Sequence, residues 1–150
     1  MLVSDFIDFT RSRGVTYWDS VSDVPIDVMH TDFSHPYSPE LRQTLMQSAR
    51  LLKIDFVDEG VYICVEGPRF ETPAEVRMYE SWGADIVGMT GLPEAVFARE
   101  AGLRYATVAI VTNFAAGLTD TVVAHEDVVE SMANNTVKVR DLLMHAARAL

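Results

Sequence analysis

Three observations predict an α/β fold. Segments with β-prone and with helix-periodic residues alternate from residue 54 to the end of the chain. Two segments open on a capping side chain followed at once by proline, at Ser38-Pro39 and Thr72-Pro73, which is how helices start. The run 104–112 is rich in Val, Ile and Ala, as in a strand covered on both faces of a sheet.

The elements follow in chain order. Asp5-Phe6-Ile7-Asp8-Phe9 is apolar and β-prone, with no polar leader before it. Residues 10–39 lack a strong period, and Gly14, Pro25, Pro36 and scattered Asp and Ser predict a long ordered loop with turns. Ser38 caps a helix over 39–52 whose one face is Leu41, Leu45, Ala49 and Leu52. Residues 54–57 and 61–65 read as two short strands around a turn at Asp58-Glu59-Gly60, and Gly67-Pro68 ends the second. Thr72-Pro73-Ala74-Glu75 has capping-box spacing, Val76, Tyr79 and Trp82 supply an apolar face, and Gly83 closes the helix. A short strand over 84–89, a helix over 93–101 closed by Gly102, and a buried strand over 104–112 come next. A last long helix covers most of 125–150, with Val128, Val129, Met132, Val139, Leu142, Leu143 and Ala146 on one face.

Composition narrows the function classes. The 150 residues are 49% hydrophobic and 23% charged, enough apolar material for the core of one domain, whole or partial. Twelve Lys plus Arg against 22 Asp plus Glu leave a net charge of −10 and no basic stripe, which speaks against nucleic acid and anionic membrane as partners. Cys64 is alone and forms no internal disulfide. The four histidines, His30, His35, His125 and His145, have no zinc-ligand spacing, so no metal is expected and a reducing cytoplasm fits. The apolar run near 105–111 is far too short to span a membrane, and Asp5 and Asp8 stand where an export signal needs positive charge. The expectation is a soluble, unexported protein.

Open α/β sheets bind ligands beyond the carboxyl ends of their strands, and three loops fall there. Glu66-Gly67-Pro68-Arg69-Phe70-Glu71-Thr72 supplies carboxylates, a guanidinium and an aromatic ring. Met89-Thr90-Gly91-Leu92-Pro93-Glu94 joins a strand to a helix start, where the Thr90 hydroxyl and nearby N–H groups suit an anion. Thr112-Asn113-Phe114-Ala115-Ala116-Gly117 follows the last strand. Singly, each has a plain structural reading: Glu71 a first-turn acid, Thr90 a cap, Asn113 a turn former, Phe70 core. Three such loops at one end of a sheet point to a site.

The residues V-E-G-P-R-F-E-T-P-A-E, W-G-A-D-I-V-G-M-T-G-L-P-E-A, A-R-E-A-G and V-T-N within 65–113 closely resemble the trimeric purine nucleoside phosphorylase and methylthioadenosine phosphorylase family. Looser similarity runs back to Asp5-Phe6-Ile7-Asp8 and forward through the last helix. Family members are roughly double this length. The resemblance therefore implies a single partial domain over 1–150: the carboxyl-terminal half of a phosphorylase-type mixed-sheet α/β fold with flanking helices, without the amino-terminal half and its glycine-rich phosphate loop.

The resemblance also implies an activity, the phosphorolysis of purine nucleosides or 5′-methylthioinosine to free base and ribose or methylthioribose 1-phosphate. Inorganic phosphate is the co-substrate, and no cofactor is needed. Phe70 would stack on the nucleoside, Glu71 would accept from purine N1–H, Met89 would pack on the ribose, Thr90 would bind phosphate, and Asn113 would bond N7 and O6. Asparagine at 113, where 6-aminopurine enzymes of the family carry aspartate, implies 6-oxopurine substrates, since an amide can turn its donor toward a 6-oxo group. His30 resembles the histidine that methylthio-selective members insert into a neighbouring subunit's 5′ pocket, and His125 resembles the one that meets a 5′-hydroxyl. Both 5′ substituents stay open. The partner implied is a further copy of the chain, in a homo-oligomeric trimer, or a complementary amino-terminal half; a half-domain alone would be catalytically silent or bind purines weakly. It would also expose strand edges and apolar surface.

Overall fold

The computed structural model describes residues 1–18, 30–120 and 125–150. Its elements are β1 (Asp5–Phe9), α1 (Pro39–Leu51), β2 (Val61–Val65), α2 (Pro73–Ser81), β3 (Ile86–Gly88), α3 (Glu94–Glu100) and α4 (His125–Arg148). The strands form a parallel sheet in the order β1-β2-β3, with α1 and α2 in the crossovers between them. Asp5 pairs with Val61 and Phe9 with Val65; Tyr62 pairs with Ile86 and Cys64 with Gly88. Because all three strands run the same way, their carboxyl ends lie together, and the loops after Phe9, Val65 and Gly88 open on one edge.

Side-chain alternation then builds two layers. Val3, Tyr62 and Cys64 pack with Phe6, Ile86, Tyr37, Leu92 and Ala95 on the α3 face of the sheet. Ile63, Val65 and Tyr79 pack with Ile7, Phe9 and Val87 on the α2 face. The central strand β2 is buried from Tyr62 to Val65, as a strand covered on both faces must be. A third cluster joins α1 to α4 through Leu2, Leu45, Ala49, Leu142 and Ala146.

Local chemistry accounts for the helix starts. The Ser38 hydroxyl accepts from Leu41 N at 3.3 Å, with Pro39 in the first turn. In α2 the capping box is complete: Glu75 N donates to Thr72 Oγ1 at 3.2 Å, and Thr72 N donates to Glu75 Oε2 at 2.8 Å.

Two expected strands did not form. Residues 54–57 carry no ladder; Val57 O accepts from Leu2 N at 2.8 Å and no strand forms there. The run 104–112 is reduced to one antiparallel bridge, Leu2 with Val108, flanked by bonds from Val3 N to Thr107 O and from Ala109 N to Met1 O. In both segments the pairing bonds go only to the short stretch of residues 1–3, and a strand needs a neighbour along its length to register as part of a sheet. With this bridge the arrangement is mixed, parallel through β1-β2-β3 and antiparallel at residue 108. The strand expected over 84–89 shortens to Ile86–Gly88. Among the described residues no helix is long and apolar enough to cross a membrane.

Candidate active site

The loops at the carboxyl edge are tied to one another by two side chains. Glu66, just after β2, accepts from Arg11 N at 2.9 Å and Ser12 Oγ at 2.5 Å, which fixes the loop after β1. These bonds hold its carboxyl below the usual carboxylate range, the Ser12 hydroxyl contributing most. Arg13 reaches further. Its guanidinium donates to Val65 O at 3.2 Å, Glu66 O at 3.4 Å and Leu92 O, and approaches Cys64 Sγ at 3.6 Å. One fork thus joins the loop after β2 to the turn before α3.

Two glycines allow closer approaches. Gly67 has φ +70°, and a Cβ there would lie 2.5 Å from Met89 Sδ, so Met89 seats directly on the loop that carries Glu71. Gly117, at φ +80°, presses on Pro73, whose Cβ a side chain there would meet at 2.6 Å; the 112–118 loop therefore touches the start of α2.

A cleft of ≈ 250 Å³ opens at this edge, lined by Glu66, Gly67, Arg69, Glu71 and Glu75, with Tyr79 and Phe9 among the residues of its wall. Within it Arg69 and Glu75 pair in a two-pronged bridge, with both N···O distances 2.7 Å. Glu75 is pulled down to about 2, first by Arg69 and next by Thr72 N–H, while Arg69 is raised by Glu75. Glu66 and Glu75 are therefore both engaged within the fold. Glu71 is half-buried and makes no hydrogen bond among the described residues, so of the three carboxylates lining this cleft it is the one not engaged there.

The other sequence-predicted residues are not among those that line the cleft. Phe70 is 41% exposed. Met89 is partly buried against the α2-face cluster. Thr90 is exposed at the turn before α3. Asn113 is exposed and engaged locally: Thr112 Oγ1 donates to its Oδ1 at 2.6 Å, and its Nδ2 donates to Phe114 O at 2.9 Å. His30 is exposed. His125 opens α4, and its side chain lies outside the described part of the structure, as does Pro25 of the long loop.

One sequence expectation is corrected at the α3 end. The N–H groups of Thr90 and Gly91, expected to face an anion, donate instead to Tyr62 Oη at 3.1 and 3.3 Å. Tyr62 is a buried residue of β2 whose phenol is raised by burial. Gly91 leaves room for its ring, since a Cβ there would stand 2.8 Å from Tyr62 Cε1. Arg13 and Tyr62 were not among the expected site residues. The only trace of Tyr62 in the sequence is the pair of glycines at 88 and 91, and Arg13 leaves none.

Residues 1–148 match the phosphorylase superfamily model. The chain belongs to the phosphorylase superfamily. It is 49% identical over 146 residues to a probable 6-oxopurine nucleoside phosphorylase of Moorella thermoacetica, covering 97% of this chain and 55% of that protein. It is 45% identical to the 6-oxopurine nucleoside phosphorylase of Pyrococcus furiosus, covering 97% and 56%. A probable S-methyl-5′-thioinosine phosphorylase of Methanothermobacter thermautotrophicus is 42% identical, covering 97% and 48%. Among solved structures, the methylthioadenosine phosphorylase of Schistosoma mansoni with adenine superposes at TM-score 0.88 and 33% identity, over 99% of this chain and 58% of that one. This phosphorylase-superfamily chain spans about half the length of the curated relatives it matches. Among its described residues no group of three or more His, Cys, Asp or Glu side chains is placed to hold a metal ion.

Proposed function

We propose that the chain carries the base-holding part of a purine nucleoside phosphorylase that prefers 6-oxopurines and uses inorganic phosphate as co-substrate, without a metal or organic cofactor. Glu71 carries the reading: it is a half-buried carboxylate at the carboxyl edge of a parallel sheet, with no hydrogen bond among the described residues, between two neighbours that are both engaged. The names of the relatives from Moorella and Pyrococcus agree with the substrate class.

In phosphorolysis a phosphate oxygen bonds to C1′ as the C1′–N9 bond breaks, and the electron pair leaves with the purine. Interactions that strengthen as the base gains charge accelerate this step. Glu71 accepts N1–H of the purine. Asn113 exchanges its bonds to Thr112 and Phe114 for bonds to N7 and O6, and Phe70 supplies a ring for stacking. Met89 packs on the ribose, and Thr90 contacts phosphate. His30 and His125 remain the two candidates for the 5′ end, one for a methylthio group and one for a hydroxyl, and the Methanothermobacter relative's name keeps 5′-methylthioinosine in view. The active form in this reading is a cytoplasmic homo-oligomer, a trimer.

The half-length match supports a second reading, in which the region 1–150 is a partial domain that binds purines weakly and turns over only with the complementary half. Initial rates with inosine, guanosine and 5′-methylthioinosine, each with and without phosphate, separate the two. Phosphate-dependent release of free base, faster from inosine than from adenosine, is expected. Hypoxanthine binding by calorimetry without turnover favours the second reading, and neither binding nor turnover overturns both.

A further inference from the structure

Tyr62 lies under the turn that carries Thr90. It leaves β2 on the α3 face, only 7% exposed, and its ring passes beneath Gly88 and Gly91, where a Cβ at either position would collide with it. Its Oη accepts from Thr90 N at 3.1 Å and from Gly91 N at 3.3 Å, and the Thr90 side chain hydrogen-bonds with the same phenol. A phenol oxygen brings two lone pairs and one proton to such a cluster. The two backbone donors take the lone pairs, so the remaining bond, to Thr90 Oγ1, is made with the phenol's own proton. Burial raises the phenol, which keeps that proton in place at neutral pH.

The consequence falls on the Thr90 hydroxyl. An oxygen that accepts from Tyr62 keeps its own hydrogen for another partner, and Thr90 is exposed to one. A hydroxyl that rotates freely offers an anion a lone pair as readily as a proton, whereas one fixed in this way offers the proton. Donors oriented in advance cost nothing to reorient when the anion arrives. The N–H groups of Thr90 and Gly91 are meanwhile held by the phenol and do not serve an anion. We infer that Tyr62 is a positioning residue, whose phenol proton fixes the Thr90 hydroxyl as a donor toward inorganic phosphate while its oxygen occupies the N–H groups of the turn. Phosphate is then met at this turn by a side chain and not by backbone, and Tyr62 itself touches no substrate. This inference rests on the reading of Thr90 as a phosphate contact.

The test titrates the chain with inorganic phosphate and follows the line width of the phosphorus resonance, which needs no turnover. Tyr62→Phe keeps the ring and removes the oxygen, and it should weaken phosphate binding about tenfold, the worth of one hydrogen bond to a charged group. Thr90→Val removes the hydroxyl at an exposed position and should cost as much, while Thr90→Ser, which keeps it, should cost at most about twofold. Because Tyr62 acts through Thr90, adding Tyr62→Phe to Thr90→Val should cost nothing more. If Tyr62→Phe does not fold, Gly91→Ala displaces the ring, its Cβ falling 2.8 Å from Tyr62 Cε1, and should give the same loss and the same non-additivity. Phosphate binding that is indifferent to Tyr62→Phe or to Thr90→Val, losses that add in the double variant, or no phosphate binding by the unaltered chain would overturn the inference. Initial rates add a split: Tyr62→Phe should raise the KM for phosphate and leave the KM for inosine in place, and the reverse pattern also overturns it. Phosphate bound in this way with no base released from any nucleoside would defeat the phosphorolysis reading and support this one, so the two failures are distinct.

Discussion

Arg13 offers the sharpest energetic test of how the candidate site is held. Its guanidinium gives hydrogen bonds to Val65 O and Leu92 O, carbonyls of residues only 6% and 2% exposed, from a side chain that is itself 20% exposed. Arg13→Met keeps the apolar stem and removes the fork, leaving two buried acceptors unmatched. At about 1–3 kcal/mol for each orphaned group, the expected loss of stability is about 2–6 kcal/mol. The ion pair with Glu66 adds little, because the two groups are 4.0 Å apart and the Glu66 side chain is 35% exposed. Arg13→Lys can reach only one carbonyl with its single ammonium and should recover about half of the loss. Urea unfolding followed by tryptophan fluorescence measures both variants by linear extrapolation. A loss below about 0.5 kcal/mol for Arg13→Met, the ordinary range for a surface change, would refute the clamp; so would Lys and Met variants of equal stability.

The remaining predictions concern the cleft and its walls. Glu71→Ala should lower phosphate-dependent turnover about 10- to 100-fold, the worth of one hydrogen bond to a charged acceptor, while the melting curve stays in place because Glu71 makes no hydrogen bond among the described residues. Asn113→Asp should shift the preference from inosine toward adenosine, read as the ratio of kcat/KM values. Glu75 sits at about 2 against an ordinary 4.5, so its contribution is complete above 4.5 and is lost as pH falls through that window toward 2. Glu75→Gln should flatten the acid limb of the stability curve between those two values, as followed by circular dichroism. Gly67→Ala should cost about 1–2 kcal/mol for the left-handed backbone alone, and it should displace Met89, which lies where the new Cβ would go. Thermal melts measure the cost, and the KM for nucleoside reads the displacement.

The helices were legible because their signals are local. Ser38 and Thr72 bond to N–H groups three residues on, and proline at the next position excludes little else. The parallel core was legible for a related reason, since β-prone runs with no polar face survive only where both sides are covered. What sequence could not supply was pairing. Residues 54–57 and 104–112 have strand composition, yet composition reports burial and not whether a neighbour stands at 4.8 Å or so on each side. The site divided in the same way. Glu71 could be found from its run Gly67-Pro68-Arg69-Phe70, whereas Arg13 acts on carbonyls 52 and 79 residues away in a stretch without period. Tyr62 reads as core, and that reading is right for its ring. Its hydroxyl takes the donors expected to face an anion only because Gly88 and Gly91 leave the ring room to pass.

Helix α4 carries this reasoning one step further. Its predicted apolar face joined Val128, Val129, Met132, Val139, Leu142, Leu143 and Ala146, and the structure buries only Leu142 and Ala146, against α1. Val129 at 54%, Met132 at 41% and Leu143 at 47% stay exposed on the same helix. A periodic apolar stripe states that a helix is to be covered and is silent about what covers it. On α4, among the described residues, full burial is confined to Leu142 and Ala146 in the carboxyl-terminal turns, while Val129 and Met132 further back stay exposed. Each apolar side chain that stays in water there forgoes burial worth about 25 cal/mol per Å² of apolar surface, so the stripe predicts a face and not a finished contact.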